Sequence, residues 1–453
     1  MIQPRIRDAV TDQALPQLRE LTDLPMMRQH FEQALKLSHG RSIAECRIIR
    51  VRYRPGRNCT VSYRLSFAES ESAQSDTAII SLLACLPGES RARFINAQSA
   101  ATTQPDLILH LPAIEAVAWI FPQDRKLPGL ARLADRALLK EHLLPEIINS
   151  PGPGLSITSF SIEPISYMAE RACTLRISVE LSATDSARTE TRNFYVKTLT
   201  PDEGIHAWHN WQRLWHSEEV QRGRLLIPQP VAYQTAACAL WHSELAGHSL
   251  IDDLHQPDSF LRLMKEAGTV IARLHQTNLT GLSAITPDET IAQLGAAAFL
   301  LSQVRPECRA DVQELVRLLI SKLPRPEAPT ATLHGDLHLK NLLVTADGVA
   351  LIDLDNLCAG DPAREIGSLT AMLYHQFLTN RISQQMAEQS AEQFVAGWQQ
   401  GSKRELSESA LHWHTAAALI YERAVRCIIR LSDERVTMLD DLIALARQMA
   451  SKL

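Results

Sequence analysis

The chain has 453 residues, 45% hydrophobic and 21% charged, an ordinary globular composition with length for two or three domains. A net charge of −5 and an isoelectric point near 6.4 give no electrostatic footprint for nucleic acid, so no nucleic-acid partner is expected. No apolar run approaches membrane length, MIQPRIRDAVTDQ lacks a signal-peptide core, and the eight cysteines form no C-x-x-C pair; the expectation is a cytoplasmic protein with no membrane partner.

Residues 1–40 carry Leu15, Leu18 and Leu21, then Phe31, Leu35 and Leu37, at helical spacing. From Cys46 the period changes. CRIIRVRYRPGRNCTVSYRLSF predicts two strands around Arg54-Pro55-Gly56-Arg57, the polar residues 68–76 a surface loop, and residues 77–85 a third strand. The same layout returns later: ISYMAERACTLRISVEL at 165–181 predicts two strands, 182–188 a polar loop, and TETRNFYVKTL at 189–199 a strand. Laid over each other without a gap, the copies share Tyr53 with Tyr167, Arg57 with Arg171, Cys59 with Cys173 and Thr60 with Thr174. Thr77 with Thr191, Pro87 with Pro201 and Glu89 with Glu203 continue the series, every pair 114 residues apart (167 − 53, for example). After one small slip, Trp119 in AVAWIF and Trp241 in CALWHS fall on matching apolar strands. A repeated unit is expected.

Residues 204–219 predict a helix with Trp208, Trp211 and Trp215 on one side, a core stripe. Residues 225–230 then lead to an edge strand, 237–243. The chain beyond that strand is mostly helical. Residues 260–276 are amphipathic and end on His275, read as a packed helix-end residue; 289–304 and 309–322 continue, and Pro324-Arg325-Pro326 closes the section. Residues 366–379, 383–400, 407–430 and 434–452 also predict helices. His412 and His414 flank Trp413 and make a poor metal pair, while Asp252, Asp253 and Asp258 read as a solvated acidic turn sooner than as an acceptor pocket.

One stretch breaks the helical half: LHGDLHLKNLLVTADGVALIDLDNLCAGDPARE, residues 333–365. His334-Gly335-Asp336 is followed five residues after the aspartate by Asn341, then by Asp353 and Asp355. Thr345-Ala346-Asp347-Gly348 separates two short apolar runs, and Asp-Gly is a strong hairpin signal. The reading is a tight loop carrying Asp336, a strand, a turn, and a second strand that delivers Asp353. Phosphoryl transfer needs such groups: one carboxylate orients the attacking hydroxyl, and an amide with a second carboxylate holds magnesium against the phosphates.

H-G-D-x-x-x-x-N followed by I-D-x-D resembles the catalytic and metal loops of the aminoglycoside phosphotransferase family, small-molecule kinases related to choline kinases and more distantly to protein kinases. The resemblance implies an α+β, protein kinase-like bilobal fold with an antiparallel or mixed β amino-terminal lobe and a helical carboxy-terminal lobe. It implies ATP and Mg²⁺ as cofactors and a hydroxyl on a small molecule as acceptor; His338, where protein kinases carry a lysine, fits that acceptor. Carried over by motif, Asp336 is the catalytic base, His334 braces its loop, Asn341 and Asp353 are metal ligands, and Asp355 is a further carboxylate for the metal. Gly360-Asp361-Pro362 matches the family's G-D-P and is expected to buttress the loop, whereas Glu365-Ile366-Gly367 departs from the usual Asp-Leu-Ala.

Lys197 falls on a strand where the family has its phosphate-binding lysine, and Trp241, Glu244 and Leu245 fall in the expected adenine-binding hinge. Either Glu218 or Glu219 is a candidate partner for Lys197. The position matching Lys197 in the first copy is Leu83, which cannot hold phosphate. The expected organisation is therefore a degenerate lobe at 1–150, a nucleotide-binding lobe at 151–245 and a helical lobe at 246–453. Arg52–Arg57 and WIFPQDRKLPGL at 119–130 also look like segments of phosphotransferase-family proteins. A nucleotide-binding regulatory protein, a nucleotidyl transferase and a kinase with a protein acceptor are the alternatives; the sequence leaves the acceptor and the oligomeric state open.

Overall fold

The computed structural model describes residues 11–35, 42–68, 77–100, 104–148, 155–183, 189–324, 331–431 and 437–453. Leu37, Arg325, Pro326 and most of the loops expected at 68–76 and 182–188 lie outside the described residues. The described residues divide into two compact units: those within 1–205, 231–242 and 429–433 form one, and those within 206–230, 243–428 and 434–453 the other.

The first unit holds two five-stranded sheets of the same order. Strands β1 (Ile43–Arg54), β2 (Asn58–Phe67), β3 (Thr77–Ala84), β4 (Ile108–Leu111) and β5 (Ala116–Ile120) run β1-β2-β3-β5-β4. Strands β6 (Leu155–Met168), β7 (Ala172–Ala183), β8 (Thr189–Leu199), β9 (Pro230–Gln234) and β10 (Ala239–Ser243) run β6-β7-β8-β10-β9. The register follows the 114-residue spacing. Thr60 faces Leu83 across β2 and β3, and Thr174 faces Lys197 across β7 and β8.

A feature that the ungapped comparison passes over ties each leading hairpin to the segment before it. Asp12 Oδ2 accepts from the Tyr53 hydroxyl and the Gly56 amide, both at 2.8 Å. Asp124 Oδ2 accepts from the Tyr167 hydroxyl at 2.7 Å and the Glu170 amide at 2.9 Å. Asp12 and Asp124 are 112 residues apart (124 − 12), so a fixed 114-residue offset misses them. The turn residue is left-handed in both hairpins, Gly56 at φ +66° and Glu170 at φ +63°. Glycine adopts that conformation freely; Glu170 is held in it by Arg125, which donates to both carboxylate oxygens at 2.9 and 2.8 Å.

The two tryptophans lie on corresponding strands but not at corresponding residues. Cys85 donates its amide to Glu115 (φ +45°), as Leu199 does to Cys238 (φ +46°). Counted from these turns, Trp119 matches His242. Trp119 packs with Leu83 and Val117, whereas Trp241 packs with Cys173, Leu175 and Val196. Strand alternation sets Lys197 on the face opposite Val196. At the amino terminus the expected helix forms as a 3₁₀ turn, Pro16–Thr22, then α1, Leu24–Leu35.

The second unit is helical around two small sheets. Its principal helices are α2 (Pro257–His275), α3 (Pro287–Val304), α4 (Arg309–Ser321), α5 (Pro362–Leu378), α6 (Gln384–Ser402), α7 (Glu408–Ala418) and α8 (Leu439–Ala450). A capping box of Thr286 and Glu289 starts α3. Helices α2 and α6 touch backbone to backbone: a Cβ at Gly268 would lie 2.0 Å from the Phe394 carbonyl oxygen, and one at Gly397 1.8 Å from that of Lys265. The helix expected over 407–430 is interrupted, because Leu419–Ala424 is wound as a π-helix before Val425–Ile429 resumes α geometry. Strands β11 (His248–Ser249), β13 (Leu342–Thr345) and β14 (Gly348–Leu351) form one sheet, and β12 (Ala331–Leu333) pairs with β15 (Cys358–Gly360) in the other. Among the described residues no helix is long and apolar enough to cross a membrane.

Candidate active site

The H-G-D loop begins where β12 ends, and its shape is set from below. Gly335 sits at φ +81°, and a Cβ there would fall 2.0 Å from the Asn356 carbonyl oxygen, so no other residue fits. His334 is fully buried. Its Nε2 lies 2.9 Å from the Ile352 carbonyl oxygen, an acceptor, so Nε2 carries the proton and ties the loop to the chain after β14. Asn341 donates Nδ2 to the Asp336 carbonyl oxygen at 3.0 Å, and Ile352 donates its amide to the Asn341 carbonyl at 3.0 Å. That orients the Asn341 amide and leaves Oδ1 as its donor atom for a cation.

The hairpin forms as expected, with Leu342 opposite Leu351 and Thr345 opposite Gly348. Asp353 is not on its second strand. The strand stops at Leu351, and Asp353 follows in the left-handed region (φ +63°, ψ +53°), where it turns the chain into the 3₁₀ turn Leu354–Asn356 that contains Asp355. Burial holds the His338 imidazole below its ordinary pKa; the Asp336 and Asp353 charges oppose this, and His334 and Arg426 add to it. His338 thus stands within the fields of Asp336 and Asp353. Among the described residues no three His, Cys, Asp or Glu side chains converge as a metal cluster. Asn341 and Asp353 each carry oxygen donors of the kind that Mg²⁺ takes, since the ion uses one or two protein carboxylates and completes its shell with water and phosphate oxygens.

Glu365, noted in the sequence only as a departure, holds the loop. It is buried at the start of α5. Oε1 accepts from the Gly335 amide at 2.8 Å. Oε2 accepts from the His334 amide at 3.1 Å and from His275 Nε2 at 2.9 Å. Trp398 in turn donates Nε1 to His275 Nδ1 at 2.9 Å. An indole N–H only donates, so Nδ1 accepts and Nε2 is protonated. Burial alone would raise the Glu365 pKa, but the His275 bond, with the His275 and His334 rings and the Gly335 amide, holds it below the ordinary carboxylate range. The close approach of α2 and α6 is what brings His275 beside Trp398. Asp361 caps α5 through the Ala363 amide at 2.8 Å, and so fixes the turn that presents Glu365.

A cavity of about 480 Å³ opens against this loop. Gly335, Asp336 and His338 line one side, Ala297 and Leu300 of α3 another, and Arg364 and residues of the π-helix close it. The acidic turn does not line it; Asp253 is buried and takes a 2.8 Å bond from His248.

The remaining expected residues belong to other elements. Lys197 is buried in β8, and Tyr195 two residues before it stacks on His242. The Trp241 side chain is core and donates to Gln234 Oε1 at 2.8 Å. Glu244 and Leu245, both partly exposed, follow β10. Glu219 is gripped by Arg224 at 2.6 Å, and Glu218 pairs with Arg222 at 2.5 Å.

A model of the phosphotransferase enzyme family matches residues 176–403, just over half of the chain, which therefore belongs to that family. The protein is accordingly a phosphotransferase with an alcohol group as acceptor, a small-molecule kinase of α+β construction. Among solved structures, the chain is similar to an aminoglycoside phosphotransferase, APH(3'')-Id, from Streptomyces rimosus (17% identity, 56% of this chain and 90% of that one, TM-score 0.38). It is similar also to a choline/ethanolamine kinase family protein from Mesorhizobium loti (15% identity, 65% and 89%, TM-score 0.42). A third is a thermostable mutant of APH(4)-Ia in ternary complex with AMP-PNP and hygromycin B (14% identity, 69% and 98%, TM-score 0.46). No curated protein matches the chain.

Proposed function

We propose that this chain transfers the γ-phosphate of ATP, with Mg²⁺, to a hydroxyl of a small molecule. The observation that carries the reading is the Asp336 loop, clamped by Glu365 and His334, on the wall of a cavity sized for a small ligand. Asp336 orients the acceptor hydroxyl and takes its proton as the phosphoryl group arrives. His334 keeps the loop registered on Ile352. Asn341 and Asp353 would hold Mg²⁺, with Asp355 nearby in sequence; when bound, the ion supplies charge neutralisation at the phosphates. Lys197 offsets charge on the α- and β-phosphates, and backbone groups around Trp241, Glu244 and Leu245 take the adenine. Residues 151–245 then act as the nucleotide lobe and 246–453 as the catalytic lobe. Residues 1–150 are a lobe of the same strand order in which Leu83 stands where Lys197 does.

Incubation with γ-labelled and α-labelled ATP and a panel of hydroxyl compounds tests this. Transfer of the γ label alone to a small molecule is the expected result. Transfer of the α label would mean nucleotidylation, and absence of any transfer would mean a regulatory protein.

A further inference from the structure

The cavity walls carry a specific charge pattern. Three arginines line it, Arg364, Arg423 and Arg426, together with three carboxylates, Asp336, Glu365 and Glu422. Two of these carboxylates are already engaged. Glu365 accepts from two amides and His275. Glu422 Oε2 accepts from the Ser368 hydroxyl at 2.8 Å and from Arg423 at 3.4 Å. Asp336 is the proposed base.

Of the arginines, Arg423 meets a carboxylate, Glu422, at 3.4 Å, whereas Arg364 and Arg426 meet none among the described residues. Arg364 donates to Thr290 Oγ1 and Gln293 Oε1, each at 3.0 Å and each neutral, and lies over the Tyr421 ring. Arg426 makes no hydrogen bond or ion pair among the described residues. Arg423 is buried, yet its Nε is shielded from solvent and has no partner, as is the Tyr421 hydroxyl. Tyr421, Glu422 and Arg423 all stand on the π-helix, a local winding that recurs at functional sites.

We infer that the acceptor is an anionic alcohol, a hydroxyl compound bearing a phosphate or carboxylate group, which Arg364, Arg423 and Arg426 bind while its hydroxyl meets Asp336. An amine would bring a cation against three guanidinium groups, two of them without a carboxylate partner among the described residues. An anionic group supplies the charged partner that Arg364 and Arg426 lack among the described residues. Guanidinium pairs with phosphate and carboxylate in a planar, two-bond geometry.

The inference rests on the phosphotransferase reading for its reaction but not for its binding, so two measurements separate them. In the first, inorganic phosphate is titrated by calorimetry into the full chain saturated with ADP. Binding is expected in the wild type and is expected to weaken about ten- to hundredfold in Arg364→Gln and in Arg426→Gln, as for loss of one charge-assisted bond. No phosphate binding, or equal binding in both variants, overturns the inference. In the second, γ-label transfer is compared across sugar phosphates, hydroxy acids, neutral sugars and amino alcohols. Transfer to the first two classes, with KM raised in the same variants, supports the inference. Preferred transfer to amino alcohols or neutral sugars overturns it. Phosphate binding that the arginine variants lose, with no transfer to any compound, would overturn the kinase reading while leaving the anion site in place.

Discussion

Glu365→Ala is the substitution whose cost can be worked from the structure. It strands three donors: the Gly335 amide, the His334 amide and His275 Nε2. At about 1–3 kcal/mol per unsatisfied buried donor, and with water from the adjoining cavity relieving some of it, the loss is roughly 3 kcal/mol or more. For a unit of this size that corresponds to a fall in Tm of roughly 6–12 °C. The Asp336 loop also loses the group that fixes its two amides, and a displacement of about 1 Å at a reacting group costs on the order of 100-fold in rate. Turnover is therefore expected to fall while MgATP affinity stays close to wild type. Glu365→Gln keeps the volume but must turn its NH₂ toward at least one donor, and is expected to fall between Ala and wild type. Differential scanning calorimetry with kcat and ATP affinity on both variants is the assay. Wild-type stability and turnover in Glu365→Ala would refute the clamp.

Other substitutions probe separate links. Gly335→Ala sets a Cβ 2.0 Å from the Asn356 carbonyl and strains a left-handed residue, so a loss of turnover of at least about 100-fold is expected; unchanged kinetics would mean that the loop is not rigid. Leu83→Lys places a charge in the packed group of Val117 and Trp119 and is expected to destabilise by about 3 kcal/mol or more without creating an ATP site. Lys197→Ala is expected to weaken ATP binding with little change in Tm, and normal ATP affinity there would remove the lysine from the nucleotide site. Burial holds His414, His412 and His338 below the ordinary 6.5. The unfolded chain therefore binds protons more readily at these positions, and their contribution to stability is full above about pH 6.5 and lost as pH falls through the lowered folded values. Tm measured from pH 8 to 5 should decline; a rising Tm over that interval would contradict the assignment.

The hairpin and the Asp336 loop were legible because turn chemistry and short-range spacing write them locally: Asp-Gly for the turn, glycine for the left-handed Gly335. The Glu365 clamp was not, because its partners His275 and Trp398 come from two other helices, α2 and α6, whose backbones approach closely at glycines far apart in sequence. An apolar run ending at Ile352 points to a strand that delivers Asp353, whereas the left-handed turn after Leu351 carries no glycine to announce it. The repeat in strand order was visible through matched residues, yet Asp12 and Asp124 escaped a fixed offset that their two-residue displacement breaks. Arg423 and Arg426 lay in a stretch that read only as helix, since no periodicity reveals a π-turn, and Arg364 lay beside the G-D-P turn with nothing local to single it out.

The proposed reaction stands or falls on Asp336 acting in the chemical step of phosphoryl transfer. Steady-state γ-phosphate transfer and MgATP titration of Asp336→Asn, beside the wild type, put that to the test. Turnover lower by about 100- to 10,000-fold with ATP affinity nearly unchanged is the expected result, and turnover like that of the wild type would contradict it.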